Sequence, residues 1–556
     1  YVNYTKTFAK KHNLNVMAGV NAEEEEYKYL YGTRNVMYDQ EGYPELNMAG
    51  KDGQDLSWNH TSRASAGYFG RINYDYKGIY LLELNGRYDG SSRFPHTDQW
   101  AFFPSASIGY RFSEEAYFAP LKHIVSNGKL RASFGEIGNE AVGDYMFEQL
   151  ISQRLNNKST GYIYWIENNN ANANLLTMYN MPDLVSSTLT WERIRTLNIG
   201  LDLGLLNDEL TIGFDWFQRE NRDMLAPAQV LPNTLGASAP YENAGTLRTR
   251  GWELNLNWRH TFGDFDVYAN FNIGDSKTKV TKWDNDSKLL STYYTGKTYG
   301  DIFGFETDRY FEEKDFTSQN ADGSWNYANG IASQAGLESG NFHYGPGDVK
   351  FKDLDGNGKI DGGKGTADDH GDLKVIGNSM PRYEYSFHLG GAWKGIDLDL
   401  YFQGVGKRED WTTSSLNLPA MVHADVAIYS HQTSYNKVLW NSDYTAITGY
   451  EVNQGNRYPR LYRGTNNSGG TVSGIANGCN NYYPQSRYLT DMSYLRLKNV
   501  TVGYTLPKEW TRKAYIEKAR IYFSGSNLFL LHKGNDLPVD PEISTGNGLT
   551  AGGWGR

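Results

Sequence analysis

The feature that most constrains this fold is a strict alternation of apolar and polar side chains over residues 66–112. Three runs show it, and a tight turn at Lys77 and Gly78 joins the first two. The apolar side consists of Ile72, Tyr74, Tyr76, Tyr80, Leu82, Leu84, Tyr88, Ala106, Ile108, Tyr110 and Phe112. Successive side chains point to opposite faces in a β-strand, so a period of two predicts three strands.

The length of these runs points to a membrane. Each has about ten residues, with aromatic rings near its ends; a tilted strand needs about that length to cross an outer membrane, and aromatic rings collect at both membrane surfaces. The last of the three runs begins after Pro104. The same alternation recurs along the chain and predicts roughly 14 strands.

The composition agrees with a large β protein. Aromatic residues make up 14 % of the 556 residues, and 60 glycines supply turns and bulges. Mean hydropathy is −0.63, and the absence of an apolar run of ~18 residues excludes a helical membrane protein. The single cysteine, Cys479, makes an internal disulfide impossible. The net charge of −10 argues against nucleic acid as a partner.

The connections between the predicted strands mostly alternate between short and long. Short turns are predicted at residues 77–78, 207–208, 263–264 and 394–395, and long polar loops at residues 22–63, 136–187, 220–247, 275–381 and 407–487. Soluble sandwiches lack this alternation, whereas outer-membrane barrels have short periplasmic turns and long extracellular loops. The acidic run at residues 23–26 is expected in a solvated loop, with a cation site as the alternative.

Lipid offers no hydrogen-bond partner, so strands that cross it must pair into a closed sheet. The sequence therefore predicts an all-β fold, a transmembrane antiparallel β-barrel formed by residues 1–556. The expected location is the bacterial outer membrane, with many crossings, in contact with its lipid. Tyr1 begins within a pattern and no signal peptide is visible, so we expect the chain to be part of a larger barrel.

Several long motifs occur in a fixed order. The strongest are GRYDGSSRF at residues 86–94 and FPSASIGYRFSEE at residues 103–115. The others are KLRASFG at 129–135 with GN at 138–139, LTWE at 189–192 with NIGLD at 198–202, and YLRLKNVTVGY at 494–504 with SNL at 526–528. Together they resemble the SusC/RagA-type TonB-linked outer-membrane proteins, a branch of the TonB-dependent transporters. The resemblance extends from the first residues to about Glu542.

This resemblance implies a plugged barrel of about 22 strands, of which the chain is the C-terminal portion. The plug, the TonB box, the N-terminal domain and the first strands would lie outside this sequence. The implied function is active import of glycan oligosaccharides or peptides, energised by TonB–ExbB–ExbD. A SusD-like surface lipoprotein would act as a lid, and the loops at residues 275–381 and 407–487 are long enough to contact it.

One local motif carries metal chemistry. Residues 353–361, DLDGNGKID, match the first nine positions of an EF-hand calcium loop. The candidate ligands are Asp353, Asp355, Asn357, the backbone carbonyl of Lys359, and Asp361. The twelfth position, which should be a carboxylate, is Lys364; Asp368, Asp369 or Asp372 could replace it after an insertion. We expect a structural Ca²⁺ that braces an extracellular loop, with a metal-free polar turn as the alternative.

Loop aromatics are candidates for stacking on sugar rings. They are Tyr162, Tyr164, Trp165, Trp411, Tyr482 and Tyr483. The alternative is that these rings pack loops onto each other or onto a partner. The histidines are scattered and no nucleophile elbow or P-loop is present, so neither an enzyme nor an organic cofactor is predicted.

Two other functions remain open from the sequence. A passive outer-membrane porin would share the barrel but lack a plug and a TonB box. A surface adhesin would share the loops but transport nothing.

Overall fold

The computed structural model describes residues 1–34, 45–46, 49–50, 55–151, 153–155, 177–179, 182, 184–186, 189–227, 240–339, 342–412, 416–419, 428–461, 470–472, 475–478 and 480–542. These residues contain a 14-stranded antiparallel sheet in which each strand pairs with its neighbours in the sequence. The strands are β1 (Val2–Phe8), β2 (His12–Thr33), β3 (Asp55–Tyr76), β4 (Tyr80–Ser91), β5 (Trp100–Tyr110), β6 (Val125–Asn139), β7 (Glu192–Leu205), β8 (Leu210–Pro227), β9 (Tyr241–Phe262), β10 (Phe265–Lys282), β11 (Arg382–Trp393), β12 (Ile396–Lys407), β13 (Tyr494–Thr505) and β14 (Arg520–Lys533).

The sheet confirms the predicted all-β class and the number of long strands. The tight turns also fall where the sequence places them. At the β11–β12 turn, Trp393 pairs with Ile396, and the two residues between them, Lys394 and Gly395, have φ of 47° and 92°. Two consecutive positive φ angles are typical of the hairpin turn whose twist matches that of the strands, and glycine adopts this conformation without strain.

The structure corrects the predicted loop at residues 22–63. Strand β2 continues to Thr33 and β3 begins at Asp55, with 22 consecutive cross-strand pairs and no shift in register. The acidic run at residues 23–26 therefore lies in a strand. The apolar–polar alternation disappears there because residues 21–32 of β2 are exposed on both faces of the strand, so neither face has to be apolar.

Other strands are also longer than their apolar runs. Strand β5 begins at Trp100, four residues before Pro104, and β6 extends to Asn139. Strand β8 continues to Pro227 and β9 begins at Tyr241, so both ends of the predicted loop at residues 220–247 are strand. In each case the extension lies on the side of the long connections.

The chain divides into two compact units. The first comprises Tyr1–Phe112, Leu130–Ile199 and Arg219–Leu247. Its buried apolar cluster contains Phe94 and Trp191, whose ring centroids are 5.0 Å apart, together with Leu189 and Phe103. Two arginines, Arg193 and Arg195, both bind the buried Glu136 carboxylate at 2.5 Å. The motifs GRYDGSSRF and LTWE therefore meet in one packed cluster.

The second unit comprises Ser113–Lys129, Gly200–Gln218 and Arg248–Arg556. Its largest apolar core lies in the predicted loops at residues 275–381 and 407–487. Those loops form short paired strands: Asp301–Phe305 with Leu373–Asn378, Thr307–Tyr310 with Val349–Phe351, Phe316–Gln319 with Trp325–Tyr327, Glu409–Asp410 with Thr490–Asp491, Lys437–Trp440 with Ile447–Glu451, and Gly470–Val472 with Ile475–Gly478. In the first unit, Gln153–Leu155 pairs with Thr177–Tyr179.

Buried charge joins the two loops of this core. Asp348 is fully buried and accepts hydrogen bonds from Arg460 at 2.9 and 2.7 Å and from the Asn481 amide at 2.8 Å. Nearby, the Tyr310 hydroxyl donates to the Arg457 carbonyl at 2.8 Å. The core therefore depends on contacts between residues more than a hundred positions apart.

Helices are few and short in the part of the chain that the structure describes. One α-helical turn, α1, spans Lys508–Thr511. The 3₁₀ turns are Phe112–Glu114, Ala116–Leu121, Glu313–Asp315, Ala335–Leu337, Ser430–Gln432, Asn480–Tyr482 and Arg512–Ala514. Among the residues that the structure describes, no helix is long and apolar enough to cross a bilayer.

The alternation in β4 generates the first prediction. Leu82 pairs with Tyr74 and with Ile108, whose side chain is 60 % exposed, so this face is apolar and uncovered. Leu82→Arg should cost about 2–4 kcal/mol if the face contacts lipid near the bilayer midplane. Asn85→Arg, on the opposite face, should be tolerated. Equal folding yields for the two variants in a barrel-assembly assay would contradict this assignment of faces.

The loop core generates a second prediction. Arg460→Met leaves the buried Asp348 carboxylate without its cation and should destabilise the loop core by about 3–5 kcal/mol. Lys437→Met, which removes a half-exposed ion pair with Glu451 at 3.4 Å, should cost about 0–1 kcal/mol. Limited proteolysis of the intact protein in membranes measures the difference. Loops equally protected in both variants would show that the buried pair is dispensable.

Candidate functional site

A polar cavity of 360 Å³ lies at strands β9 to β12, in the second unit. Its lining includes Glu253, Asn255, Asn272, Glu384, Ser386, Tyr401 and Gln403. Asn272 pairs with Ser386, which pairs with Gln403, so these three side chains share one face of the sheet. The Asn272 amide donates to the Ser386 hydroxyl at 3.3 Å.

The opposite face of the same strands is apolar. Phe271 pairs with Phe387, which pairs with Phe402, and the rings of the last two stack with centroids 4.4 Å apart. One face therefore suits lipid, and the other presents amides, hydroxyls and carboxylates to water or to a polar solute. The sequence analysis did not single out Glu253, Asn255 and Asn272. The available signal was that neighbouring strands all place polar side chains on that face.

A second cavity, of 390 Å³, shares Ser276, Pro381 and Glu384 with the first. Charged side chains in the wall of this cavity form ion pairs. Two guanidinium nitrogens of Arg382 donate to the two carboxylate oxygens of Asp275. Lys407 lies 3.5 Å from Glu409. The shared residues make the two cavities neighbours along the ends of β10, β11 and β12 that lead into the long loops.

The acidic loop at residues 353–361 folds as a tight, self-bonded turn. The Asp353 carboxylate accepts the backbone N–H groups of Gly356 at 2.7 Å and Gly358 at 2.9 Å. Both glycines have positive φ, 75° and 78°, as the sharp turn requires. The side chain of Asn357 donates to Asp355 at 2.9 Å. Three of the predicted ligand residues are therefore grouped at one end of the turn.

The structure brings Asp372 to this turn. Carboxylate oxygens of Asp353, Asp355 and Asp372 lie within 4.8 Å of one another. One Ca²⁺ can bridge oxygens at that separation, since its ligands lie at about 2.3–2.6 Å. The other two substitutes that the sequence allowed have different partners, because Asp368 pairs with Lys288 at 2.9 Å and Asp369 lies 3.7 Å from Lys364.

Asp372 is fully buried, and burial raises the pKa of its carboxyl group. It accepts the N–H groups of Leu354 at 2.6 Å and Asp361 at 2.9 Å, which ties the turn to the start of the next short strand. The Asp361 carboxylate itself accepts the Gly363 N–H at 2.8 Å and is not in the group of three. Lys359 forms a β-bridge with Ser333.

The aromatic residues predicted to stack on sugar rings lie in different environments. Tyr482 and Tyr483 are 6 % and 3 % exposed, and the Tyr483 hydroxyl donates to the Leu337 carbonyl at 2.9 Å. Their rings pack the loops together, which was the alternative to stacking on a substrate. Trp411 is half-buried against the same core. Tyr162, Tyr164 and Trp165 lie outside the described residues.

A strong carboxylate–lysine cluster lies in the same loops. Glu306 binds both Lys352, at 2.5 Å, and Lys374. Hydrogen bonds from these two lysines lower the pKa of Glu306 to about 2. The cluster links the segments before and after the acidic turn, so the turn is held from both sides.

Comparison with known proteins agrees with this architecture. Residues 1–368 match the family model described as TonB dependent receptor-like, beta-barrel. TonB-dependent receptor P3 of Formosa agariphila is 27 % identical over 98 % of this chain and 49 % of its own length. TonB-dependent receptor SusC of Bacteroides thetaiotaomicron is 24 % identical over 98 % of this chain and 47 % of its own length.

Solved structures show the same fold. A chain of the RagAB peptide transporter superposes with a TM-score of 0.68 at 18 % identity, covering 99 % of this chain and 52 % of that one. The chain thus spans about half the length of the relatives and of the solved structure it matches. A family model that matches residues 1–368, together with the 14-stranded antiparallel sheet, shows that this chain belongs to the TonB-dependent receptor-like β-barrel family.

Proposed function

We propose that this chain is the strand-forming part of an active importer in the bacterial outer membrane. The single observation that carries the proposal is the two-faced sheet of a family member, apolar on one face and lined with amides and carboxylates on the other. The polar cavities at β9–β12 offer hydrogen-bond donors and acceptors to a passing solute. The substrate would be a glycan oligosaccharide or a peptide, both rich in groups that hydrogen-bond to amides and carboxylates.

The proposal includes the partners that complete the transporter. TonB–ExbB–ExbD would supply energy through segments outside this sequence, and a SusD-like lipoprotein would cover the extracellular loops. The apolar core formed by described residues of the segments 275–381 and 407–487 supports a docking role, because folded connections lose less conformational entropy than separate flexible loops when a partner binds. Membership of a TonB-dependent family favours energised import over the passive porin.

The polar cavity allows a matched test of import. Asn272→Trp places a large ring in the 360 Å³ cavity and should reduce uptake severalfold by narrowing the path. Phe271→Trp adds a ring to the opposite, apolar face and should leave uptake unchanged. The measurement is uptake of labelled oligosaccharides and oligopeptides by cells carrying the full-length protein. Removal of TonB should abolish uptake, whereas uptake that persists without TonB would favour the porin.

We also propose that the acidic turn binds a structural Ca²⁺. Asp353, Asp355 and Asp372 would supply carboxylate oxygens, with Asn357 beside them. The proposal is supported by the grouping of these carboxylates and by the match to the first nine EF-hand positions. The ion would offset two of the three negative charges of the neighbouring carboxylates and fix the turn within the loop core.

Calorimetry on the intact protein tests this second proposal. Ca²⁺ should bind with a dissociation constant of about 10⁻⁴–10⁻³ M, as in extracellular modules. Asp355→Asn should weaken binding strongly, and Asp368→Asn, which changes a carboxylate paired with Lys288, should not. Chelation should make residues 275–381 more sensitive to protease. Heat of binding that is absent, or equal in both variants, would establish the metal-free turn instead.

A further inference from the structure

Strands β2 and β3 continue past the end of β4 as a ribbon, defined as residues 25–33 and 55–63. The last pair of β3 with β4 joins Ser65 and Ser91. Pairing between β2 and β3 continues to Thr33 and Asp55. Nine residues of strand extend about 30 Å, so the ribbon reaches well beyond β4.

The ribbon keeps the two faces of the sheet separate. Pairing between β2 and β3 continues without a register shift from the membrane-spanning part of these strands into the ribbon. Alternate residues therefore stay on the same face of the sheet along the whole length. Odd-numbered residues of β2 begin as the polar face, with Asn13 and Asn15, and end as Tyr27, Tyr29 and Tyr31. Even-numbered residues begin as the apolar face, with Leu14 and Val16. The tyrosines therefore lie on the extension of the polar face.

The tyrosine face has a specific chemistry. The three rings are 53, 46 and 47 % exposed. The ring planes of Tyr29 and Tyr31 are nearly parallel, 12° apart, with centroids separated by 6.3 Å. The residues paired with the three tyrosines are Thr61, Asn59 and Ser57. Within the described part of the chain, no hydrogen bond uses the side chains of those three partners.

We propose that this tyrosine strip, Tyr27, Tyr29 and Tyr31 with Thr61, Asn59 and Ser57, binds an extended neutral polysaccharide chain. The electron-rich faces of tyrosine rings attract the C–H faces of sugar rings. The hydroxyl and amide groups across the ladder match sugar hydroxyls. The strip has three successive cross-strand pairs without a charge, which suits a neutral chain. The inference deepens the proposed import function, on which it rests, by naming the glycan as its substrate class.

The surroundings of the strip support a path toward the polar face of the sheet. The next pair on the same face is the Glu25–Arg63 ion pair. Both residues line a 110 Å³ cavity with Glu23, Arg93 and Glu140. A chain bound along the strip would meet these polar groups before it reached the polar face of the membrane-spanning strands.

The opposite face of the ribbon has a different composition. Leu30 and Trp58 form a direct pair there, 68 and 67 % exposed, and Leu56 is 73 % exposed. The same face also carries the Glu26 carboxylate with Lys28 and His60, so it lacks the uncharged run of rings and hydroxyls that the tyrosine face presents. This face supplies a control of similar size on the same two strands.

The experiment uses the full-length protein, purified in detergent and applied to an array of neutral plant, algal and fungal polysaccharides and a peptide library. The test variant carries Tyr27→Ala, Tyr29→Ala and Tyr31→Ala; the control carries Leu30→Ala and Trp58→Ala. Because all five side chains are about half exposed or more, both variants should keep the heat-dependent gel shift of a folded barrel. The wild type and the control should bind polysaccharide, and the tyrosine variant should bind at least about tenfold more weakly.

Three results would overturn the proposal. They are wild-type protein that binds no polysaccharide on the array, equal polysaccharide binding by the two variants, and loss of peptide binding alone in the tyrosine variant. Uptake into cells separates this inference from the proposed function. Wild-type protein that binds glycan through the strip yet imports nothing would remove the import proposal and leave the strip standing. Glycan import together with equal polysaccharide binding by the two variants would remove the strip alone and leave the import proposal standing.

Discussion

The structure depends on one constraint, the continuous pairing of backbone amides and carbonyls between antiparallel strands. Lipid cannot bond to these groups, so pairing between strands fixes which residues are neighbours. The register then decides which face each side chain occupies, because a shift of one residue would exchange the two faces. Strands β2 and β3 form 22 consecutive pairs in a single register. That register therefore fixes the face of every side chain, both in the membrane-spanning part of the two strands and in the ribbon beyond it.

The extracellular side follows a different principle. Once the strands leave the bilayer, the long connections are stabilised by burial rather than by lipid contact. Tyr310, Tyr344 and Tyr458 are fully buried there, and Asp348 pairs with Arg460 inside the same core. The acidic turn is part of this assembly, because Ile360 beside it is buried in the core. The long connections therefore form one folded surface rather than a set of independent loops.

The sequence was informative where physics imposes a local pattern. Alternation predicted the 14 long strands and the turn at Lys394 and Gly395, since one face had to be apolar. It did not predict β2 beyond Asn21, because the acidic run at residues 23–26 has no apolar face to mark a strand. The loop core could not be predicted from local sequence patterns, because it joins residues that are distant in the sequence. The hydroxyl groups of Tyr310 and Tyr488, for example, lie 3.4 Å apart. Asp372 could not be chosen over Asp368 from spacing alone, because an insertion separates all candidates from the motif.

The central claim is that one side-chain phase extends without interruption from the bilayer into the ribbon. Spin labels at single positions along residues 13–21 of β2, and cysteine pairs above residue 22, both in the full-length protein with Cys479 replaced, test it most directly. Accessibility to oxygen and to a water-soluble nickel complex should oscillate with period two over residues 13–21, with even-numbered positions favouring oxygen. Above residue 22, where both faces of the strand are exposed, the phase is read from cross-linking: a cysteine pair at positions 29 and 59, which are directly paired, should cross-link, and a pair at positions 29 and 58, on opposite faces, should not. Cross-linking at positions 29 and 58 instead, or no oscillation over residues 13–21, would contradict the account.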